Sequence, residues 1–456
     1  MKLFLQSVPL KHKSTFIDQV DNHFLIYNPL SQKGLTVLNQ ESYFLFSKIN
    51  NKRTLQDIFK LAKKKDSKIN FSDIKKIFNN LYSSQIIYFG KDSLEPKLYK
   101  QKLNTPGVWL HLTNQCNLRC TYCYLHKTPG KMSQEIANKA IEKIFKSAQK
   151  HNFKQIKFKL SGGEPLLEQK MLFRLVNKIK KLEDKTKIKT IIVIMSNGVL
   201  LTPTICKKIK QKKLQVAVSL DGLNKVHDKT RVFVNGRGSF KQVEKGIDNL
   251  LKYKVLFNVS VTITSKNIKN IPKLTKYLLE KNIPLVFNFY RENPCVKEEL
   301  NNQDEKLIFY LKKAYQAIYK NALPYGYIDR LLDRVVASRP HLRPCGMGTN
   351  YLVIRHDGKL VNCQMLMEKP IGSINDKDLI DTMIQKDFTK GITVEDKTPC
   401  KNCQWKYICC GGCPLLTLEK KGNYNTSTPN CAVYKALIPE LLRLEAKRLI
   451  KLHKFS

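Results

Sequence analysis

Residues 114–127 read "NQCNLRCTYCYLHK" and contain the most informative cysteine spacing of the chain. They place Cys116, Cys120 and Cys123 in one short segment, and the next cysteine along the chain is Cys206. Three thiols are one fewer than the four protein ligands that a structural zinc site usually takes. The segment therefore needs an explanation in which three thiolates meet and a fourth coordination position is filled from outside.

A cubane iron–sulfur cluster meets that requirement. The cluster has four irons, so three cysteine ligands leave one iron open to a substrate or cofactor. Two alternatives are a zinc site completed by His111 or His126, and three unrelated thiols. We interpret the segment as the ligand set of a cluster because of the sequence that follows it.

That sequence alternates between strand and helix patterns from residue 108 to about residue 290. Six short apolar runs have the composition of buried strands: VWLHL, IKFKL, TIIVIM, LQVAVSL, LFNVSVTI and PLVFNF. Helical patterns separate them, as in SQEIANKAIEKIFKSAQK, where Ile136, Ala140, Ile144 and Ala148 share one face. Six such units predict an α/β fold, in which helices cover a parallel sheet that is an open or closed α/β barrel.

Glycine-rich or polar turns follow the first four of these strands. The cysteine segment comes after the first strand, SGGEP (161–165) after the second, SNG (196–198) after the third and SLDG (219–222) after the fourth. Ligands of such sheets bind at the carboxyl ends of the strands, and glycine allows a close backbone approach there. The order of the four turns therefore predicts one ligand site at that edge of the sheet.

A second group of cysteines lies near the end of the chain. Its members at metal-site spacing are Cys345, Cys363, Cys400, Cys403, Cys409, Cys413 and Cys431. Seven thiols exceed the needs of a single zinc site and predict two further iron–sulfur clusters, with two zinc sites as the alternative.

Residues 108 to about 290 resemble a radical S-adenosylmethionine (SAM) enzyme, since Cys116, Cys120 and Cys123 match the family signature CxxxCxxC. The resemblance implies a partial (β/α)6 barrel and a [4Fe-4S] cluster whose open iron is chelated by SAM. It further implies that the GGE motif holds the methionine amino group and that SNG lies near the ribose. The SAM contacts that we infer from it are Tyr122, Gly162, Gly163, Glu164, Ser196, Asn197, Ser219 and Arg231.

The second cysteine group resembles the SPASM extension of radical SAM enzymes that modify peptides and proteins. The resemblance implies that Cys400, Cys403, Cys409 and Cys431 hold one auxiliary cluster. It assigns Cys345, Cys363 and Cys413 to the other cluster. Relatives that complete this second set have a cysteine just upstream, where this chain reads ASRPHLRP. The fourth position is then an open iron that binds a substrate thiolate, or it is filled by Cys295 or Cys410.

Residues 1–100 form a separate segment in which short strands precede three helical patterns. Thr54 and Ser72 are the predicted N-caps of the second and third helices. The pattern is similar to the winged-helix, peptide-recognition elements fused to many maturases of ribosomally made peptides, where a leader peptide adds a strand to a sheet edge. We predict three domains: 1–100, leader recognition; 101–330, the barrel; and 331–456, the SPASM region, with a linker around residues 85–107.

Composition restricts the setting in which the protein acts. No apolar run approaches the roughly 18 residues of a membrane span, and the start, MKLFLQSVPLKHKS, lacks a secretory signal. We therefore predict a cytoplasmic protein without membrane association, whose 13 cysteines are reduced. The net charge of +44 comes mostly from dispersed lysines, so we do not expect a nucleic acid partner, whereas an acidic peptide fits.

The resemblances imply a radical SAM oxidoreductase that acts on a peptide or protein. We predict that it cleaves SAM reductively, abstracts hydrogen from a precursor peptide and forms a thioether or carbon–carbon cross-link, with flavodoxin or ferredoxin as electron donor. The alternatives are formylglycine formation, as in anaerobic sulfatase maturases, modification of RNA, and a non-catalytic iron–sulfur carrier or scaffold.

Overall fold

The computed structural model describes residues 4–90, 105–321 and 325–453, so most of the predicted linker lies outside the described residues. The chain divides into two compact units, each built from separated stretches of sequence. The first unit contains residues 1–101, 318–344 and 393–456, and the second contains residues 102–317 and 345–392. The three-domain division by sequence motif stays a prediction.

The first unit begins with strands and then turns helical. Its elements are β1 (Pro9–Lys11), β2 (Phe16–Val20), β3 (His23–Tyr27), β4 (Leu35–Leu38), α1 (Gln40–Ser47), α2 (Leu55–Lys65), α3 (Phe71–Ser83) and β5 (Ile87–Phe89). Strands β2, β3 and β4 form an antiparallel sheet in that order, and β1 pairs with β5. Apolar faces of the three helices pack into one core with the sheet.

Local side chains fix where the helices of this unit begin. Thr54 caps α2 by accepting from the backbone N–H of Asp57, as predicted. The prediction of Ser72 as the cap of α3 is wrong. Asn70 is the cap, because its side chain accepts from the N–H of Asp73 while the Asp73 carboxylate accepts from the N–H of Asn70. Ser72 therefore lies in the first helical turn.

The second unit is built on the six parallel strands that the sequence predicts. The strands are β6 (Gly107–His111), β7 (Gln155–Ser161), β8 (Lys189–Ser196), β9 (Gln215–Ser219), β10 (Leu256–Ile263) and β11 (Leu285–Phe289). They lie in simple sequential order. The helices between and after them are α4 (Gln134–Lys150), α5 (Gln169–Thr186), α6 (Pro203–Gln211), α7 (Lys225–Asp228), α8 (Phe240–Lys252), α9 (Ile271–Glu280) and α10 (Asp304–Lys320).

Later sequence extends this sheet beyond β6. Strand β12 (Tyr351–Ile354) pairs in parallel with β6, β13 (Lys359–Val361) pairs antiparallel with β12, and β14 (Gly372–Ser373) pairs antiparallel with β13. Helix α11 (Leu379–Gln385) packs on α4. An ion-pair cluster joins these two helices, since Lys150 Nζ lies 2.5 Å from an Asp381 carboxylate oxygen.

The first unit ends with α12 (Lys406–Cys409), α13 (Pro414–Lys421) and α14 (Cys431–His453). Helix α14 packs against β2, β3 and β4. None of the helices within residues 4–90, 105–321 and 325–453 is both long and apolar enough to cross a bilayer.

A buried hydrogen bond joins the sheet of the first unit to a later loop of the same unit. Tyr27, 1% exposed, donates its hydroxyl to the carbonyl of Ala337 at 2.9 Å. We expect Tyr27→Phe to cost about 1–3 kcal/mol, because the carbonyl loses a partner that water cannot replace. Urea unfolding in a Trp109→Phe background, followed by the fluorescence of Trp405, measures this unit.

Tyr319→Phe is the control for this prediction. It removes an exposed hydrogen bond to Asp21 in the same unit, and we expect a change within about 0.5 kcal/mol. Equal losses in the two variants would contradict the stabilising role of the Tyr27 hydroxyl.

Candidate functional site

The cysteine segment forms the loop between β6 and α4, and its start is joined to the turn after β7. The N–H of Gly163 donates to the carbonyl of Thr113 at 2.6 Å, and the N–H of Glu164 donates to that of Gln115 at 2.9 Å. A Cβ on Gly162 would lie 2.5 Å from the Thr113 oxygen, and a Cβ on Gly163 would lie 2.1 Å from the Gln115 oxygen. Two glycines are therefore required for the backbones to approach this closely.

We expect Gly163→Ala to displace the cysteine loop. The new methyl group would overlap the Gln115 carbonyl, so the backbone must move, at a cost of about 1–3 kcal/mol. The measurement is the iron content of anaerobically reconstituted protein, which should fall relative to wild type. Gly236→Asn is the control, because Gly236 lies at positive φ with open space around its Cα, a position that Asn tolerates. Unchanged iron content in the Gly163 variant would contradict the steric argument.

The far part of the loop is attached to a second segment of the same unit. The N–H of Arg119 donates to the carbonyl of Val232 at 2.7 Å, and the N–H of Thr121 donates to that of Thr230 at 2.9 Å. Leu118, between the cysteines, is fully buried. The loop is thus held by backbone hydrogen bonds at both ends, which fixes the positions of its three thiols.

The three thiols lie close enough to influence one another electrostatically. Burial raises the pKa of Cys120 to about 12, with Cys123 and Cys116 adding to this and Arg231 opposing it. Burial also raises the pKa of Cys116. Two cations face the sulfurs: Lys127 Nζ lies 3.0 Å from the Cys123 Sγ, and a guanidinium nitrogen of Arg231 lies 3.8 Å from the Cys120 Sγ. The two cations favour the thiolate form in which cysteine binds iron, so this donor set fits an iron–sulfur cluster.

A buried ion pair between Asp221 and Arg231 contacts the cysteine loop. Asp221 is fully buried and accepts from Arg231 Nε at 2.7 Å and from the Tyr122 hydroxyl at 2.5 Å. Its other oxygen accepts from the N–H of Thr262 on β10. The Arg231 guanidinium also lies over the Tyr122 ring, 5.2 Å from its centroid. Asp221 therefore connects the end of β9, strand β10, the loop residue Tyr122 and Arg231.

The Glu164 carboxylate connects the turns that follow β7 and β8. It is fully buried and accepts from the Ser196 hydroxyl at 3.0 Å and from the N–H groups of Asn197 and Leu166 at 2.7 and 3.1 Å. Burial raises the pKa of Glu164 to about 7, and these hydrogen bonds oppose the rise. The Asn197 side chain in turn lies 3.8 Å from the Cys116 Sγ. Glu164 thus orients the SNG turn toward the cysteine loop.

Seven of the eight residues expected to contact SAM are therefore joined to the cysteine loop by direct contacts or through Glu164. The eighth, Ser219, is half-buried at the carboxyl end of β9, two positions before Asp221. The structure places all eight at the carboxyl edge of the parallel sheet or on the loop beside it. Whether they contact SAM stays a prediction.

The four cysteines expected to hold one auxiliary cluster surround one cavity of the first unit. Cys400, Cys403, Cys409 and Cys431 line a space of about 550 Å³. Thr428 also lines it, is 1% exposed, and its hydroxyl has no hydrogen-bond partner within the described part of the chain. Four sulfurs and an unused buried donor around one cavity fit a cluster whose sulfurs accept hydrogen bonds.

The remaining cysteines are placed as follows. Cys345 and Cys363 belong to the second unit and Cys413 to the first, so their shared cluster stays a prediction. The Cys295 Sγ lies 3.2 Å from the carbonyl of Tyr124, and the Cys410 Sγ lies 3.0 Å from the carbonyl of His341.

The sequence analysis did not identify two residues that lie near these thiols, Lys127 and Thr428, and it did not predict the ion pair of a third residue, Asp221. Lys127 and Thr428 belong to no motif, although a lysine four positions after Cys123 is a usable signal once the loop is known to bind metal. Asp221 was interpreted only as part of the polar SLDG turn, whereas the structure pairs it with Arg231.

Two family descriptions match the chain. Residues 110–278 match the radical SAM superfamily, and residues 345–404 match SPASM, an iron-sulfur cluster-binding domain. The first match includes Cys116, Cys120 and Cys123, and the second includes Cys345, Cys363, Cys400 and Cys403 but ends before the last three cysteines of the second group.

Curated relatives and solved structures resemble larger parts of the chain. The cysteine-type anaerobic sulfatase-maturating enzyme of Clostridium perfringens is 27% identical over 70% of this chain and 91% of its own. The radical SAM cyclopropyl synthase TigE of Paramaledivibacter caminithermalis is 24% identical over 94% of both chains. Streptococcus suis SuiB bound to its precursor peptide SuiA has the same fold, with a TM-score of 0.51 and 15% identity over 93% of this chain and 100% of SuiB.

Proposed function

Because the chain is a radical SAM enzyme with a C-terminal SPASM domain, we propose that it modifies a ribosomally synthesised precursor peptide by closing a thioether or carbon–carbon cross-link. The observation that carries this proposal is the presence of the N-terminal part of the first unit. A match over 94% of the chain must include most of it, and this is the extent of the match to TigE. The sulfatase-maturating relative matches only 70% of the chain.

The N-terminal part of the first unit has features that suit an extended acidic peptide. Strands β2 and β4 each have a single strand neighbour among the described residues, so each offers an edge to which a peptide strand can add. Lys48 and Lys65 lie over the ring of Phe44, and Lys63 lies over that of Phe59. These lysines and aromatic rings form a surface that complements acidic and apolar side chains and speeds their encounter. We propose that this part binds the leader of the precursor.

We propose that Cys116, Cys120 and Cys123 hold the cluster to which SAM binds. When bound, the cluster and SAM would supply one-electron cleavage of the sulfonium and so the means to abstract a hydrogen atom from the substrate. The chain's own residues then position the reactants: the glycines after β7 fix the loop, and Glu164 fixes the SNG turn. The proposed SAM contacts are Tyr122, Gly162, Gly163, Glu164, Ser196, Asn197, Ser219 and Arg231.

We propose that Cys400, Cys403, Cys409 and Cys431 hold one auxiliary cluster, and that Cys345, Cys363 and Cys413 hold the other. The thiols of Cys295 and Cys410 each contact a backbone carbonyl. Neither contact supports a role for these cysteines as the fourth ligand of the second auxiliary cluster. An iron open to a substrate thiolate therefore remains the preferred interpretation. Flavodoxin or ferredoxin is the proposed electron donor.

The test uses the full chain, reconstituted anaerobically with iron and sulfide and supplied with SAM and dithionite. The substrate is a short precursor peptide to be sought in the neighbouring reading frames, synthesised with its leader. We expect 5′-deoxyadenosine to form and the peptide to lose two hydrogen atoms per cross-link, without gaining an aldehyde. An unmodified peptide together with abundant 5′-deoxyadenosine would contradict the choice of substrate.

Formylglycine formation is the second candidate, favoured by the 27% identity to the sulfatase-maturating enzyme. A synthetic sulfatase peptide distinguishes the two functions. Oxidation of its cysteine replaces sulfur by oxygen and removes two hydrogens, and the product reacts with a hydrazide. We expect no hydrazide-reactive product, and its appearance would favour the second candidate.

A further inference from the structure

A lysine is buried beside the four cysteines that line the cavity of the first unit. Lys397 is only 3% exposed, and its Nζ donates to the carbonyl of Cys410 at 3.2 Å. Lysine is almost never fully buried unless a counter-charge or strong acceptors compensate the loss of hydration. The ammonium group of Lys397 acts electrostatically on Cys400, so it is placed to stabilise negative charge on the cysteines beside it.

The amino group of Lys397 lies near the sulfur of Cys400. A Cβ on Gly411 would lie 3.0 Å from the Lys397 Nζ and 3.3 Å from the Cys400 Sγ. The amino group and the sulfur thus both border the space that the missing side chain of Gly411 leaves open. Gly411 has a φ of +72° and itself lines the cavity.

The charge of a cluster explains why a cation would be kept there. A cubane held by four thiolates is an anion, and it gains one more negative charge when it is reduced. A fixed positive charge in a low-dielectric surrounding stabilises the reduced form more than the oxidised form. Net charge and nearby hydrogen bonds are the factors by which proteins set cluster potentials.

We propose that Lys397 is a positioning residue that raises the reduction potential of the auxiliary cluster held by Cys400, Cys403, Cys409 and Cys431. This inference rests on the ligand set given under the proposed function. A higher potential makes this cluster a better acceptor for one electron from a substrate radical as the cross-link closes. The substrate then loses that electron and a proton, and the cluster gains the electron.

Lys421 offers a matched comparison. It also acts electrostatically on Cys400, but its side chain is exposed. Water and salt screen the exposed ammonium group, whereas they screen the buried one much less. Removing the two charges should therefore have unequal effects on the cluster, although both are lysines near the same sulfur.

The experiment isolates this cluster within the full chain. Alanine replaces Cys116, Cys120 and Cys123, as well as Cys345 and Cys363, and the midpoint potential of the remaining cluster is measured by an EPR-monitored redox titration. Relative to this background, Lys397→Met should reduce the ratio of reduced to oxidised cluster at least tenfold at a fixed potential, which for one electron is a shift of 59 mV or more to lower potential. Lys397→Arg should keep the background value, and Lys421→Met should shift it by much less.

The outcomes separate the proposal from its premise. If the background protein holds no iron, the ligand set is wrong. If it holds a cluster and Lys397→Met leaves the potential unchanged, the role of Lys397 is wrong. If Lys397→Met and Lys397→Gln lose the cluster while Lys397→Arg retains it, positive charge is required and the proposal stands. Loss of the cluster in all three variants would show a requirement for packing and would overturn the proposal.

Discussion

Cys120→Ala is expected to abolish the formation of 5′-deoxyadenosine. Burial raises the pKa of its thiol, and a guanidinium nitrogen of Arg231 lies 3.8 Å from its Sγ. Two remaining thiolates cannot hold a cubane that must also keep one iron open for SAM. Total iron should fall by about one third if three four-iron clusters are present, and 5′-deoxyadenosine should fall to the level of a reaction without enzyme.

Cys206→Ala is the control, because it removes a buried thiol that lies outside both cysteine groups. Cys206 is fully buried on α6, with its Sγ near the carbonyl of Leu201. This variant should keep its iron and its SAM cleavage. Sustained cleavage by the Cys120 variant, or zinc in place of iron in the wild-type protein, would show that the loop is not the site of cluster binding.

Asp221→Asn is expected to destabilise the second unit by about 3–5 kcal/mol. The substitution keeps the shape of the side chain but leaves the guanidinium of Arg231, 7% exposed, without its negative partner. Breaking a buried pair on one side leaves an uncompensated charge, which costs far more than the intact pair contributes. Anaerobic urea unfolding in a Trp405→Phe background, followed by Trp109 fluorescence, measures this unit.

Two comparisons make the Asp221 prediction specific. Asp248→Asn breaks the exposed pair with Lys281 in the same unit, and we expect a cost of at most about 1 kcal/mol. The double variant Asp221→Asn with Arg231→Met removes both buried charges and should be more stable than Asp221→Asn alone. Equal losses in the Asp221 and Asp248 variants would contradict the importance of burial.

The sequence predicts the barrel well because its signals are local and repeated. All six apolar runs from VWLHL to PLVFNF form parallel strands in sequential order. Each run is short, apolar and bounded by turn residues, so a wrong register would expose it to water. The spacing of Cys116, Cys120 and Cys123 is equally local, and it identified the loop that the structure holds at both ends.

Other features depend on contacts that are distant in sequence. The pairing of β12 with β6 joins segments more than 200 residues apart, and no short sequence pattern predicts this pairing. The cap of α3 was misplaced because Ser72 and Asn70 both have capping side chains, and only the reciprocal bonds with Asp73 decide between them. The use of Glu164 to hold Ser196 and Asn197 likewise appears only when two turns meet in space.

The parallel pairing of β6 with β12 has a consequence for synthesis of the protein. While the ribosome is still translating the residues after β11, the strand that leads into the cysteine loop has a bare edge on one side. An open strand edge is a template for association between nascent chains. A chain stopped at residue 317 should therefore aggregate, and assembly of iron into the loop is best delayed until Tyr351–Ile354 has emerged and covered that edge.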